Sequence, residues 1–414
     1  MNKVLLVAYQ FPPLSGGGVF RTLKFTKYLP DFGYQPHVLT VKNPRERTKD
    51  ITLLRELPAE AKVYRTFSLE HRILRAPRLL NMNLKWFYIP DDNIGWLPFA
   101  VWRGEKIIRK ENIDVLFATA PLFTSFLIGA LLKRKTGKPL VVDYRDPWTQ
   151  NIFIKYPTEL HRKIEEKLEK FVLETADHVI VTAEPMKHRL IEKYPFTEGK
   201  IETITNGFDP DDFKNFTGRK GREKFVITYT GSLYGLRTGR QFFKAVKELL
   251  KEKPELRNQI QVLFVGHHSR QDRLLIEEFG LEHVITFLGY KSHQEALELM
   301  TSADVLLLIM SSKEVSDAKT GPLTIPGKIF EYLGAKRPIL AIAPSGTAAD
   351  IIKSTKTGVV VPPQNTSVIA QTIFKMFQDW KDGTLKIAES DISKYERKGL
   401  TQKLAKVFHR VQAK

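Results

Sequence analysis

The chain has 414 residues, 42% apolar and 27% charged, proportions of an ordinary folded protein that exclude a disordered or low-complexity chain. That length exceeds what one hydrophobic core usually supports, so two domains of roughly 200 residues each are expected. A formal charge of +19 favours anionic partners of any kind, whereas the lack of cysteine excludes disulfides, thiol nucleophiles and thiolate metal sites and suits the cytoplasm.

No apolar run reaches the roughly 20 residues that span a bilayer, and the apolar start at 3–8 soon meets Phe11-Pro12-Pro13, so it reads as a first strand and not a signal peptide. Gly16-Gly17-Gly18 follows, ahead of a helix expected from about Val19. Glycines at a strand-to-helix turn let backbone N–H groups approach an anion, with a flexible turn as the alternative. GxGxxG spacing and a P-loop Lys-Ser/Thr ending are both missing, which argues against dinucleotide or ATP binding. A helix over 20–31 and strands over 37–41 and 63–66 come next. Residues 71–85 then carry Arg72, Arg75, Arg78 and Lys85 with almost no acid, before Trp86-Phe87-Tyr88. Cations beside bulky rings suit a surface resting on anionic lipid; a solvated loop is the alternative.

Helical spacing continues at 99–111, 124–136 and 159–176, between strands at 115–118, 140–143 and 178–182. The strand at 140–143 ends in Asp143-Tyr144-Arg145-Asp146. Charges there must pair internally, Arg145 with Asp146 or Asp143, or face a ligand, which makes Arg145 and Asp146 the candidate catalytic pair. Glu165-Glu166 and Glu277-Glu278 sit in charge-mixed helices and read as solvated faces.

Residues 206–224, rich in Gly, Asp, Asn and Lys, read as a linker. Beyond them strands are expected at 225–230, 260–265, 285–287, 305–309, 339–342 and 358–361. The first ends in Thr230-Gly231-Ser232, and Arg237 follows, where a guanidinium could hold a pyrophosphate bidentately or lie free on the surface. His267-His268 cannot both reach one metal from a regular element, so no metal site is expected. Ser292-His293-Gln294-Glu295 forms a capping box that opens a helix to about residue 302. Pro326-Gly327 opens another, placing Lys328 and Glu331 one turn apart; the cation could meet a phosphate and the carboxylate a ribose diol, or the two could form a salt bridge. From about residue 391 a basic amphipathic helix closes the chain.

Apolar strands linked by helices imply an α/β fold of parallel sheets covered on both faces. The expected division is an N-terminal domain at 1–205, a C-terminal domain at 206–390 and a helix at 391–414 that packs back on the N-terminal domain. Carboxyl ends of the strands are where ligands bind in such sheets, around a shared cleft.

These segments together resemble the large retaining glycosyltransferase family 4, over nearly the full chain. The landmarks are Gly16-Gly17-Gly18, Asn206-Gly207-Phe208-Asp209, Tyr229-Thr230-Gly231-Ser232-Leu233, Thr286-Phe287-Leu288-Gly289-Tyr290, Ala303-Asp304-Val305 and Pro326-Gly327-Lys328-Ile329-Phe330-Glu331. The branch resembled builds bacterial surface polysaccharides. The resemblance implies the GT-B architecture, two Rossmann-like doubly wound parallel-sheet domains facing a central cleft. It implies a nucleotide-sugar donor of UDP or GDP type, a sugar or lipid-linked sugar acceptor, and no nucleic acid, metal or other cofactor. Gly16, Gly17 and Gly18 would face diphosphate and acceptor, Arg237 and Lys328 the diphosphate, Tyr290 the base, and Glu331 the ribose, with Gly231 and Ser232 also binding the donor. Three positions depart from the family pattern: Leu323 stands where a first Glu is usual, Thr238 where a Lys is usual, and Arg145-Asp146 where a strand often ends in His. The expected location is cytoplasmic, peripheral on the inner face of the membrane. Two alternatives stay open, a sugar-nucleotide epimerase and a non-catalytic basic surface-binding protein.

Overall fold

The computed structural model describes residues 1–44, 48–69, 88–151, 154–216, 223–233, 238–310 and 325–413. It comprises two compact units, Met1–Asn206 with Arg397–Lys414, and Gly207–Glu396.

In the first unit the strands are β1 (Asn2–Val7), β2 (Tyr34–Val41), β3 (Lys62–Thr66), β4 (Val115–Ala120), β5 (Leu140–Tyr144), β6 (His178–Val181) and β7 (Ile201–Thr203). They form one sheet in the order β3-β2-β1-β4-β5-β6-β7, every pairing parallel. Parallel neighbours require crossovers, which helices α1 (Gly17–Tyr28), α2 (Leu97–Glu111), α3 (Thr124–Thr136), α4 (Glu159–Thr175) and α5 (Glu184–Lys193) supply. The central strands are buried on both faces, which is why β4 reads Val-Leu-Phe-Ala-Thr-Ala without polar alternation.

The second unit holds β8 (Phe225–Thr230), β9 (Ile260–Val265), β10 (Ile285–Gly289), β11 (Val305–Ile309), β12 (Ile339–Ile342) and β13 (Gly358–Val361), in the order β10-β9-β8-β11-β12-β13. Its helices are α6 (Arg240–Glu252), α7 (Arg270–Phe279), α8 (His293–Thr301), α9 (Lys328–Ala335), α10 (Thr347–Ser354) and α11 (Thr366–Lys381). Ser292 and Glu295 form the expected capping box of α8, and Ser269 with Asp272 forms a second one on α7. The last helix, α12 (Arg397–Gln412), belongs to the first unit: its Leu400, Leu404, Val407 and Phe408 pack with Val4, Leu6, Phe25 and Phe117. It starts at Arg397 because residues 393–395 form a separate 3-10 turn.

Two doubly wound parallel sheets of Rossmann type are thus present, and all twelve expected strands appear. The one strand not anticipated, β7, is three residues long, too short to show a period. Strand order reverses between β1 and β4 in the first sheet and between β8 and β11 in the second. At such reversals the neighbouring crossovers go to opposite faces of the sheet, leaving a crevice outside the strands' carboxyl ends. Among the described residues no helix is long and apolar enough to cross a membrane.

Candidate active site

The first crevice lies beyond β1. Gly16 (φ +110°) is a left-handed turn residue that leads into α1, and no side chain caps that helix among the described residues. Its first N–H groups and the positive end of its dipole therefore face outward. Gly17 has open space where a Cβ would be, whereas a Cβ on Gly18 would fall 1.6 Å from Gln10 Oε1, so Gly18 is small to admit the Gln10 amide.

Arg145 reaches back to this turn from beyond β5. Its Nη1 donates to the Gly18 carbonyl and its Nη2 to that of Gly17 at 3.1 Å. Surrounding protein desolvates the guanidinium and lowers its pKa, while the carboxylates of Asp143 and Asp146 oppose that shift. Gln10 Oε1, Ser15 Oγ and Arg145 Nε, all around the same turn, are buried polar atoms with no hydrogen-bond partner among the described residues. Asp146 is half-buried next to Arg145.

Internal pairing differs from the sequence expectation, because Asp143 is taken by Arg21 of α1. Arg21 Nη2 lies 2.8 Å from Asp143 Oδ1, with side chains 1% and 0% exposed. Nη1 and Nη2 also donate to the carbonyls of Thr205 and Ile204 at 2.7 and 2.9 Å, and Thr119 Oγ1 donates to Asp143 at 2.8 Å. Sequence reasoning passed over Arg21. A second correction concerns Glu165, read as solvated but 5% exposed, whose Oε2 accepts the Trp148 indole N–H at 2.6 Å. Burial pushes its pKa up to about 7, with Asp91 and Glu169 adding repulsion. The signal was in the spacing: His161, Glu165, Glu169 and Val172 form the inward stripe of α4.

In the second unit the ends of β8, β9 and β10 are laced together by glycines in left-handed conformations, Gly231 (φ +109°), Gly266 (φ +127°) and Gly289 (φ +69°). Gly231 N donates to Val265 O at 2.7 Å and Gly266 N to Gly289 O at 2.8 Å. A Cβ on Gly266 would sit 2.5 Å from the Gly231 carbonyl oxygen, and one on Gly231 would sit 2.8 Å from Lys328 Nζ. The Lys328 ammonium lies 3.9 Å from the centre of the Tyr229 ring. It is therefore held over the β8 end. Ser232 is half-buried beside Gly231, its carbonyl accepting from the Tyr229 hydroxyl at 3.2 Å.

What sets Lys328 there is Tyr332, one turn along α9. The buried Tyr332 hydroxyl accepts from Thr230 N at 3.0 Å and donates to Leu307 O at 3.0 Å, fastening α9 to the end of β8 and the middle of β11. No side chain caps the α9 N-terminus among the described residues, and Glu331 lies in its first turn, its Oε1 4.0 Å from His293 Nδ1. Tyr290, 41% exposed, stacks on His267 with ring centres 6.0 Å apart. His268 turns the other way, 3.9 Å from Phe287, with its pKa lowered by desolvation. Both histidines line a groove of about 330 Å³ together with Arg273, Phe287 and Leu288.

The structure thus gathers Gly16, Gly17, Gly18, Arg145 and Asp146 in the first unit, and Gly231, Ser232 and Lys328 in the second, with Glu331 on the same helix as Lys328 and Tyr290 at the neighbouring groove. Arg237 and Leu323 lie outside the described residues, as does the basic stretch from 71 to 87.

Two family models account for most of the length: Glycosyltransferase Family 4 matches residues 15–212 and Glycosyl transferases group 1 matches residues 211–398. An uncharacterized glycosyltransferase of Methanocaldococcus jannaschii is 23% identical over 98% of this chain and 97% of its own. A putative colanic acid biosynthesis glycosyltransferase of Escherichia coli is 28% identical over 27% of each chain. Among solved structures, an Anabaena protein in complex with UDP and glucose superposes with a TM-score of 0.68 at 16% identity, covering 99% of this chain and 100% of that one.

Proposed function

This chain belongs to the family 4 glycosyltransferases of GT-B fold, and from that premise we propose that it is a retaining transferase. It moves a sugar from a UDP- or GDP-type donor to the hydroxyl of a sugar or lipid-linked sugar acceptor, in polysaccharide or glycolipid synthesis. The observation that carries the reading is the placement of Lys328 over the Gly231 turn at the start of α9, a cation and the positive end of a helix dipole at one strand end. That combination suits a diphosphate, whose negative charge rises as the sugar departs.

On this reading Lys328, the α9 N-terminus and Arg237 neutralise the leaving nucleoside diphosphate, Glu331 grips the ribose hydroxyls, and Tyr290 with His267 flanks the base. The acceptor hydroxyl attacks from the face the diphosphate leaves, so configuration is kept without a covalent intermediate. Asp146 orients that hydroxyl or takes its proton. Arg145, committed to the Gly17 and Gly18 carbonyls, fixes the turn that faces the reacting groups. No metal is required by these residues, since the cations already present balance the charge. The Anabaena neighbour's UDP and the Escherichia coli relative's role in colanic acid synthesis support the donor class and the pathway class. Peripheral membrane attachment belongs to the same reading.

Thermal shift with UDP and GDP at about 1 mM tests donor binding, because a ligand bound only by the folded state raises its apparent stability. A rise with one of them that is lost in Lys328→Ala is expected. No rise with either nucleotide overturns the donor assignment, and an inverted anomeric centre in the product, read by NMR, overturns retention. Product formed from donor alone, without acceptor, favours an epimerase instead.

A further inference from the structure

The segment that carries Asp146 leaves β5 and is gripped almost at once. Asp146 is followed by Pro147, whose ring fixes one backbone angle, and then by the buried Trp148. The Trp148 ring lies flat on Phe123, centres 4.7 Å apart and planes within 3°. Phe123 is itself held at the start of α3, where Asp91 accepts from the N–H and the hydroxyl of Thr124, both at 2.8 Å. On its edge the Trp148 indole N–H donates to Glu165 Oε2 at 2.6 Å. Thr149 donates its hydroxyl to Glu169, which also accepts from the Tyr194 hydroxyl at 2.9 Å and lies 3.7 Å from Lys193 Nζ. Gln150 then donates to the Arg189 carbonyl at 3.2 Å. Three consecutive side chains thus end on α4 and α5, two of them on carboxylates one turn apart along the inward stripe of α4.

Stability alone does not account for this choice of residues. Glu165 and Glu169 are buried, and taking a carboxyl group out of water is unfavourable even when it is hydrogen-bonded. Apolar residues of similar volume would fill the same space without that penalty. What the acids add is direction: a satisfied buried network admits one arrangement of its members, whereas apolar side chains can repack. We propose that Glu165 and Glu169 are positioning residues, which hold Trp148 and Thr149 in one place and, through Pro147, aim the Asp146 carboxylate at the acceptor hydroxyl. Buried as they are, neither reaches a substrate. The inference rests on the reading of Asp146 as the group that orients the acceptor, and the experiment separates the two.

Hydrogen exchange of the full chain, read by mass spectrometry on the peptide spanning residues 145–151, measures the grip. Glu165→Leu and Trp148→Phe break the indole contact and Glu169→Leu the Thr149 contact; each should speed exchange there about tenfold, whereas Glu165→Gln and Glu169→Gln, which keep an acceptor, should not. Release of nucleoside diphosphate from UDP-glucose or GDP-mannose is followed on the same proteins, well below their melting temperatures. In the three contact-breaking variants kcat should fall about tenfold with the donor KM within about twofold of the parent, since the displaced group lies on the acceptor side, and both Gln variants should restore it. A purely structural role would lower the melting temperature without that split. Parental exchange at 145–151 in all three contact-breaking variants overturns the proposal. So does faster exchange with parental kcat when Asp146→Asn is itself impaired. Asp146→Asn turning over like the parent overturns instead the reading of Asp146, and the aim ascribed to the two glutamates with it, whatever the exchange shows.

Discussion

The guanidinium of Arg21 and the carboxylate of Asp143 meet at 2.8 Å with both side chains closed to water, joining the first turns of α1 to the end of β5. Because Arg21 also donates to Ile204 and Thr205, this one residue ties three segments behind the glycine turn. Arg21→Ala leaves Asp143 with Thr119 as its remaining side-chain donor shown here. An uncompensated buried charge of this kind costs about 3–5 kcal/mol, to be read as a lower urea midpoint. Replacing both partners with apolar residues of similar volume should recover part of that loss. If Arg21→Ala unfolds at the parent's midpoint, the pair is not a structural anchor.

Lys328→Ala removes the cation over Gly231 while leaving Tyr332 to hold α9. Turnover should fall about 100-fold, near 3 kcal/mol of barrier, by analogy with loss of one oxyanion donor. Stability should change by less than about 1 kcal/mol, since the cation–π contact it gives up is a small one. Because Lys328 also holds the ground-state diphosphate, kcat/KM should fall further than kcat; a rise in KM alone would mean that Lys328 binds the donor without acting on the transition state.

Gly266→Ala tests the lacing of the strand ends. The new methyl would meet the Gly231 carbonyl at 2.5 Å in a backbone conformation with φ +127°. Such strain costs on the order of 1–3 kcal/mol, and relief by moving the Gly231 turn should also weaken nucleoside diphosphate binding. Calorimetric titration that gives the parent affinity in this variant would show that the turn is not part of the donor site.

Much of this was legible in the sequence, and the reason is specific. Strands buried on both faces must be apolar throughout, so runs such as Val305–Ile309 announce themselves, and glycines with forced left-handed angles mark strand ends. Pairing across distance was not legible. Arg21 and Asp143 are 122 residues apart, and nothing in the intervening spacing favours Arg21 over the nearby Arg145 as the partner of Asp143. Glu165 was misread because its neighbours are charged, although the periodicity of α4 places it inward.

Arg145→Lys separates positioning from charge. Lysine keeps the positive charge beside Asp146 but cannot span the Gly17 and Gly18 carbonyls with a planar fork. Turnover should fall by about 10- to 100-fold through misplacement of the turn, with Arg145→Ala lower still. Full activity in both variants would remove Arg145 from the site.

Glu165 makes stability depend on pH in a direction opposite to most carboxylates. Its folded pKa is raised from 4.5 to about 7, chiefly by burial. Between those values the folded chain binds a proton that the unfolded chain has released, so stability falls as pH rises through this window and levels off above it. Full conversion of the shift would give about 3 kcal/mol, and screening at a site not wholly dry brings the expectation to about 1–2 kcal/mol. Glu165→Gln keeps an acceptor for the Trp148 indole and has nothing to titrate. Urea unfolding at a series of pH values should therefore show a shallower decline for the variant, the two curves separating most near pH 7. Parallel curves across the window would mean that Glu165 is ionised in the fold at neutral pH, and that the Trp148 hydrogen bond outweighs the burial.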